Sequence, residues 1–159
     1  MIILGVDPGT YFTGYGLIEK NKSGLRHVDN GLIAPPKISE LPCKLKTIFD
    51  EINRLLGEFS PEEVALEDVF VAKNARSSLK LGHARGIVML AAALRNIPVF
   101  EYSPATVKQA ITGFGRATKE QMQKMVKLYL KLNEEAEENA NDALAVALCH
   151  CQTMRPRKI

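Results

Sequence analysis

Met1 to Gly16 reads MIILGVDPGTYFTGYG, an apolar run closed by an acid and a tight turn. Ile2-Ile3-Leu4-Gly5-Val6 is too short for an ordinary helix and is bounded by turn residues, which predicts a buried strand. Asp7 stands at its end, and Pro8-Gly9 turns the chain directly after it. A carboxylate in that place is held at a strand edge by rigid backbone, as a metal ligand is held. The pattern returns at Val64-Ala65-Leu66-Glu67, where a second short apolar run again ends in an acid. Neighbouring placement of the two strands would bring both carboxylates to one rim of a sheet.

Outward from these strands, Thr13 to Lys20 and Leu25 to Ala34 read as extended, with Asn21-Lys22-Ser23-Gly24 as the turn between them. The three opening strands form an antiparallel meander. Leu41, Leu45, Ile48, Phe49, Ile52, Leu55 and Leu56 then fall at helical spacing, with Gly57 near the end. A long helical stretch from Arg76 to Arg95 carries Leu79, Gly82, Gly86, Leu90 and Leu94 as well as Ala84 and Ala91, so more than one of its faces is apolar. Either both faces are buried within one protomer, or Gly82 and Gly86 allow a two-fold helix contact between subunits. Ile97 to Tyr102 is a fifth strand. Ser103-Pro104 starts a short helix that stops at Gly113. Thr118 with Gln121 predicts a capping box, with Met122, Met125, Val126 and Tyr129 inward. The final helix spans Asn139 to Cys151, with Asn139 as its N-cap. This order of elements predicts an α/β fold: one mixed five-stranded sheet with helices on both faces. It forms a single domain over residues 1–152, followed by a basic tail, 153–159.

The 159 residues, 46% hydrophobic and 25% charged, suit one globular domain. No apolar run approaches the ~20 residues that span a bilayer, and the N-terminus carries no secretory pattern, so the expected compartment is the cytoplasm. Three cysteines are too few for a disulfide framework. Cys149-His150-Cys151 places its members on different sides of a helix and reads as core, not as a zinc site. The net charge of +3 permits an anionic partner. Basic residues gather in 73–85 and 116–131, and acidic ones in 134–138.

A third acid, Asp142, interrupts the apolar run Ala143-Leu144-Ala145-Val146-Ala147-Leu148 at its start. It reads equally as part of a helix-start pattern with Asn139 or as a metal ligand, and the two are compatible. Oxygen ligands without a Cys or His cluster suit a hard cation, Mg2+ or Mn2+, of the kind that assists in-line phosphodiester hydrolysis.

Gly5-Val6-Asp7-Pro8-Gly9 with Thr13-Gly14-Tyr15-Gly16, Leu66 to Asn74, Leu79-Lys80-Leu81-Gly82 with Ala84-Arg85-Gly86, Val107-Lys108-Gln109 and Asp142-Ala143-Leu144-Ala145 together resemble the RuvC family of Holliday-junction resolvases. The block from Glu67 to Gly86 is the most specific part, and the resemblance covers nearly the whole chain. It implies a ribonuclease H-like fold, a homodimer, a branch-migration helicase complex as partner, and Mg2+-dependent nicking of two opposed strands in a four-way DNA junction. Two ions per active site are implied. Asp7, Glu67 and Asp142 fall on the family's metal-binding acids, and Phe70 on an aromatic that stacks at the junction centre. Lys108 and Lys119 match basic residues near the active site. Lys73, Arg76, Lys80 and Arg116 complete the expected DNA-binding set.

Asn139 departs from the pattern, standing where the family usually has Asp or His. As fourth member of the catalytic and metal-binding set it offers an amide oxygen without negative charge. The chain is therefore either a nuclease with a differently completed metal site or a junction-binding protein with weak or no cleavage.

Overall fold

The computed structural model describes residues 1–68 and 75–154. β1 (Ile2–Asp7), β2 (Thr13–Asn21) and β3 (Gly24–Ile33) form the antiparallel meander, while β4 (Glu63–Glu67) and β5 (Val99–Tyr102) extend it with parallel pairings. The sheet order is β3-β2-β1-β4-β5. Five helices cover it among the described residues: α1 (Leu41–Phe59), α2 (Ala75–Ala93), α3 (Pro104–Thr112), α4 (Lys119–Leu130) and α5 (Glu138–Thr153).

Strand alternation divides the core in two. Ile3, Ile18 and Ala65 face α3, α4 and α5, where they pack with Ile111, Val126 and Leu144. Leu4, Leu17, Val64 and Leu66 face α1 and α2, among Ile48, Ile52, Leu55 and Val88. Each fully buried Leu or Ile contributes about 1.5–3 kcal/mol relative to exposure. α5 is apolar on nearly every side because it lies between the sheet and α3 and α4. It also lies unusually close to the sheet. A Cβ at Gly5 would meet the carbonyl oxygen of Ala143, one at Gly14 the carbonyl oxygen of Asn139, and one at Gly16 the Leu144 side chain at 2.7 Å. These three glycines seat the α5 backbone directly on β1 and β2.

Several boundaries differ from the sequence reading. α1 runs through Gly57 to Phe59 and ends at Ser60, whose φ of 45° is left-handed. β5 begins at Val99, two residues after the expected start. On α4 the buried stripe is Met122, Val126 and Leu130, four apart, which leaves Tyr129 on its margin and 38% exposed. The α5 N-cap is Glu137, not Asn139: its carboxylate accepts from the backbone N–H groups of Asn139 and Ala140. α5 continues to Thr153, into the expected tail, and residues 155–159 lie outside the described residues. Cys149 and Cys151 are buried, and burial pushes both thiols up to about 11. His150, between them, is bonded to Glu63 Oε2 and to the Tyr102 hydroxyl, each at 2.6 Å.

Candidate active site

β1 and β4 are parallel with Val6 beside Leu66, so the next residues, Asp7 and Glu67, leave the sheet side by side. α5 crosses the same end of the sheet and brings Asp142 to them, close enough for its charge to act on both. Lys108 of α3 and Lys119 of α4 close the other side. Glu67, Lys108, Lys119, Asp142, Val107 and Met122 line a cleft of about 100 Å³. Lys119 is also ion-paired with Glu138.

The electrostatics of this cleft are those of acids held together against their repulsion. Burial, then the Asp142 charge, raises Asp7 from 3.8 to about 6. Burial, then the Asp7 and Asp142 charges, raises Glu67 from 4.5 to about 8. Asp142 is raised by burial, against the lowering effect of Lys119. Asp7 and Glu67 are hydrogen-bonded to each other, which favours the ionised form of Asp7 and the protonated form of Glu67. Glu67 therefore donates to Asp7 at neutral pH.

A divalent cation fits this donor set. Three acids crowded at one strand end, sharing a proton where their repulsion is greatest, offer hard oxygen donors that such an ion would relieve. Among the described residues no three His, Cys, Asp or Glu side chains are placed to hold a metal ion as they stand, so the acids would have to shift, and the Glu67–Asp7 hydrogen bond to open, for one to bind.

Asn139 lies one turn before Asp142 on α5 and borders a neighbouring cavity with Gly9, Tyr11, Phe12 and Lys80. Its side-chain Nδ2 donates to Glu137 Oε1 at 3.0 Å. Glu137 is the functional neighbour that sequence reasoning missed, for its charge raises both Asp7 and Asp142. The available signal was a carboxylate immediately ahead of the helix start. Arg76 and Lys80 are exposed on the first turns of α2, and Arg116 is exposed between α3 and α4, outside the cleft. Phe70 and Lys73 lie outside the described residues.

The sequence profile of Crossover junction endodeoxyribonuclease RuvC matches residues 3–150. The protein of that name from Syntrophotalea carbinolica is 55% identical over 150 residues, covering 94% of this chain and 93% of its own. That from Trichlorobacter lovleyi is 49% identical over 157 residues, covering 99% and 88%. Among solved structures, T. thermophilus RuvC in complex with Holliday junction substrate superposes with a TM-score of 0.90 at 32% identity, covering 96% of this chain and 93% of that one. The shared architecture is the ribonuclease H-like fold. With the fold, the acidic strand ends and a sequence match over nearly the whole chain in agreement, the chain belongs to the RuvC family of crossover junction endodeoxyribonucleases.

Proposed function

We propose that this chain resolves four-way DNA junctions by metal-dependent hydrolysis of phosphodiesters in two opposed strands, in recombination and repair. The observation that carries the reading is the meeting of Asp7, Glu67 and Asp142 at one strand end, facing Lys108 and Lys119 across a cleft. Asp7, Glu67 and Asp142 are the metal-holding acids, with Asn139 contributing an amide oxygen from the adjoining turn. When bound there, Mg2+ or Mn2+, two ions per site in this reading, would supply a water of lowered pKa and offset charge on the leaving oxygen. The chain's own residues do the positioning. Lys108 and Lys119 meet the charge of the phosphate in the cleft, and the free N–H groups at the start of α4 lie beside Lys119. Arg76, Lys80 and Arg116, together with Lys73, extend this basic surface along the DNA backbone. Phe70 is assigned the stacking role at the junction centre on the family likeness alone.

Two opposed cuts require two such sites, so the working form is a homodimer. Its surface is α2 and the turn that follows it: Leu79, Leu90 and, just past the helix end, Leu94 are exposed, and Gly82 and Gly86 face open space. The setting is the cytoplasm, residues 1–152 are the nuclease domain, and a branch-migration helicase complex is the protein partner.

The test is a titration of labelled four-way junction against linear duplex, with and without Mg2+, following binding and nicking together. Preferential junction binding, with paired nicks only when Mg2+ is added, is the expected result. Junction binding without nicks at saturating Mg2+ would leave a binding protein, and equal binding to duplex would remove junction recognition.

A further inference from the structure

Lys44 is the least expected cation in the fold. It sits in the first turn of α1, is only 7% exposed, and has no carboxylate within ion-pair reach among the described residues. Its ammonium instead lies 4.2 Å from the centroid of the Tyr11 ring. The face of the Tyr11 ring stands in for the acid that a buried ammonium would otherwise need. Around it opens a cavity of about 280 Å³ lined by Thr10, Tyr11, Lys37, Ser39, Lys44 and Lys80. Among the described residues, every charged one in that lining is a lysine. The start of α1 also faces it through Leu41. The N-cap Glu40 makes no side-chain cap bond, and no acid stands in the first helical turn.

This cavity adjoins the active site. Thr10, Tyr11 and Lys80 also line the neighbouring cavity of about 360 Å³ that reaches Asn139. The Gly9–Phe12 turn that follows Asp7 therefore has the acidic cleft at one end and a lysine pocket at the other.

We propose that the Lys44 pocket holds one non-scissile phosphate of the DNA strand that is cut, so that strand position is set at two points: the cleft and this pocket. The inference rests on the nuclease reading and specifies where its substrate is gripped. Lys44 supplies the buried charge, Lys37 and Lys80 reach in from the rim, and Tyr11 keeps water from the ammonium. Lys44 acts here as a positioning residue, since it touches no reacting atom.

The experiment compares wild type with Lys44→Met and Lys44→Arg, measuring thermal stability and, in EDTA, salt-dependent binding to labelled junction and duplex. Lys44→Met should melt no lower than wild type, because it removes an unpaired buried charge. Its affinity should fall roughly tenfold, and its log–log salt slope should shrink by about one, as loss of a single phosphate contact requires. Lys44→Arg should keep most of the affinity. A scan of neutral methylphosphonate linkages along the cut strand should find one position that weakens wild type and leaves Lys44→Met unaffected. If Lys44→Met melts lower while keeping its affinity and slope, the lysine is a packing residue and the proposal fails. If inorganic phosphate protects wild type from heat but no linkage couples to Lys44, the pocket serves a free anion and the proposal fails likewise. Wild-type nicking of the junction in Mg2+ is measured alongside. Its absence would count against the nuclease reading, whereas the duplex salt slope still tests Lys44.

Discussion

Glu67 keeps a proton at neutral pH because its ionised form is both desolvated and beside two other acids. The unfolded chain releases that proton above 4.5, whereas the folded chain retains it up to about 8. The folded state thus binds more protons across this window, and metal-free stability must fall as pH rises through it; Asp7 adds the same trend between 3.8 and about 6. Glu67→Gln should therefore raise the metal-free melting temperature at pH 8 more than at pH 5, while abolishing Mg2+-dependent nicking. Melting curves at the two pH values check this, and an unchanged pH slope would count against the shared proton. Mg2+ should also displace about one proton near pH 7, seen by calorimetry in buffers of different ionisation enthalpy. At Asn139 the change runs the other way. Asn139→Asp sets a second carboxylate against Glu137, 3.0 Å from the present amide nitrogen, and so lowers metal-free stability. At limiting Mg2+ it should still raise the nicking rate, because it adds a charged oxygen beside Asp142. Equal rates would mean that the amide already suffices.

The site works only if α5 is seated correctly on β1 and β2. Gly5→Ala drives a methyl into the α5 backbone at Ala143 and Ala147, atoms that cannot rotate aside. The expected cost is about 1–3 kcal/mol or more, read by urea denaturation. Nicking should fall further than stability explains, since displacing Asp142 by an ångström relative to Asp7 costs on the order of 100-fold in rate. Loss of stability with normal nicking of the folded fraction would separate seating from catalysis. Glu137→Ala removes the α5 cap and should cost about 1 kcal/mol. The strands beneath were legible in the sequence because Ile2–Val6 and Val64–Leu66 are apolar runs cut off by turn residues, and the parallel pairing of two such runs forces their terminal acids together. The cap was not. Asn139 is a good N-cap by type, but Glu137 reaches two backbone donors from farther out, and that choice depends on how α5 enters the sheet. Lys44 stands four residues before Ile48, on the inward stripe of α1, but its partner could not be read from the sequence, since only the fold of the Gly9–Phe12 turn places Tyr11 over it.

At the scale of the whole molecule, α2 carries two apolar faces on opposite sides. Ala84, Val88, Ala91 and Ala92 are buried on the side of α1 and the sheet, whereas Leu79, Gly82, Gly86 and Leu90 form an exposed stripe about 180° away at 100° per residue, continued by Leu94 just past the helix end. Repetition of apolar residues around this helix was visible in the sequence, but which face met solvent was not, since either could have packed inward. An exposed stripe that contains two glycines is expensive for a lone protomer, each costing about 1 kcal/mol against alanine in a helix interior. It is understandable if a second copy of α2 crosses there at close backbone distance. Gly86→Leu separates these possibilities. Within the protomer a Cβ at Gly86 meets nothing within 4 Å, so the substitution fits sterically and improves helix propensity. Across a close two-fold contact, the same side chain would hold the helices apart. Sedimentation should then report a folded monomer with an unchanged far-ultraviolet spectrum. Junction cleavage should shift from paired to single nicks, because one protomer supplies one acidic cleft. A Gly86→Leu protein that remains dimeric and cuts both strands would move the two-fold contact off this stripe, and the symmetry of cutting would need another surface to account for it.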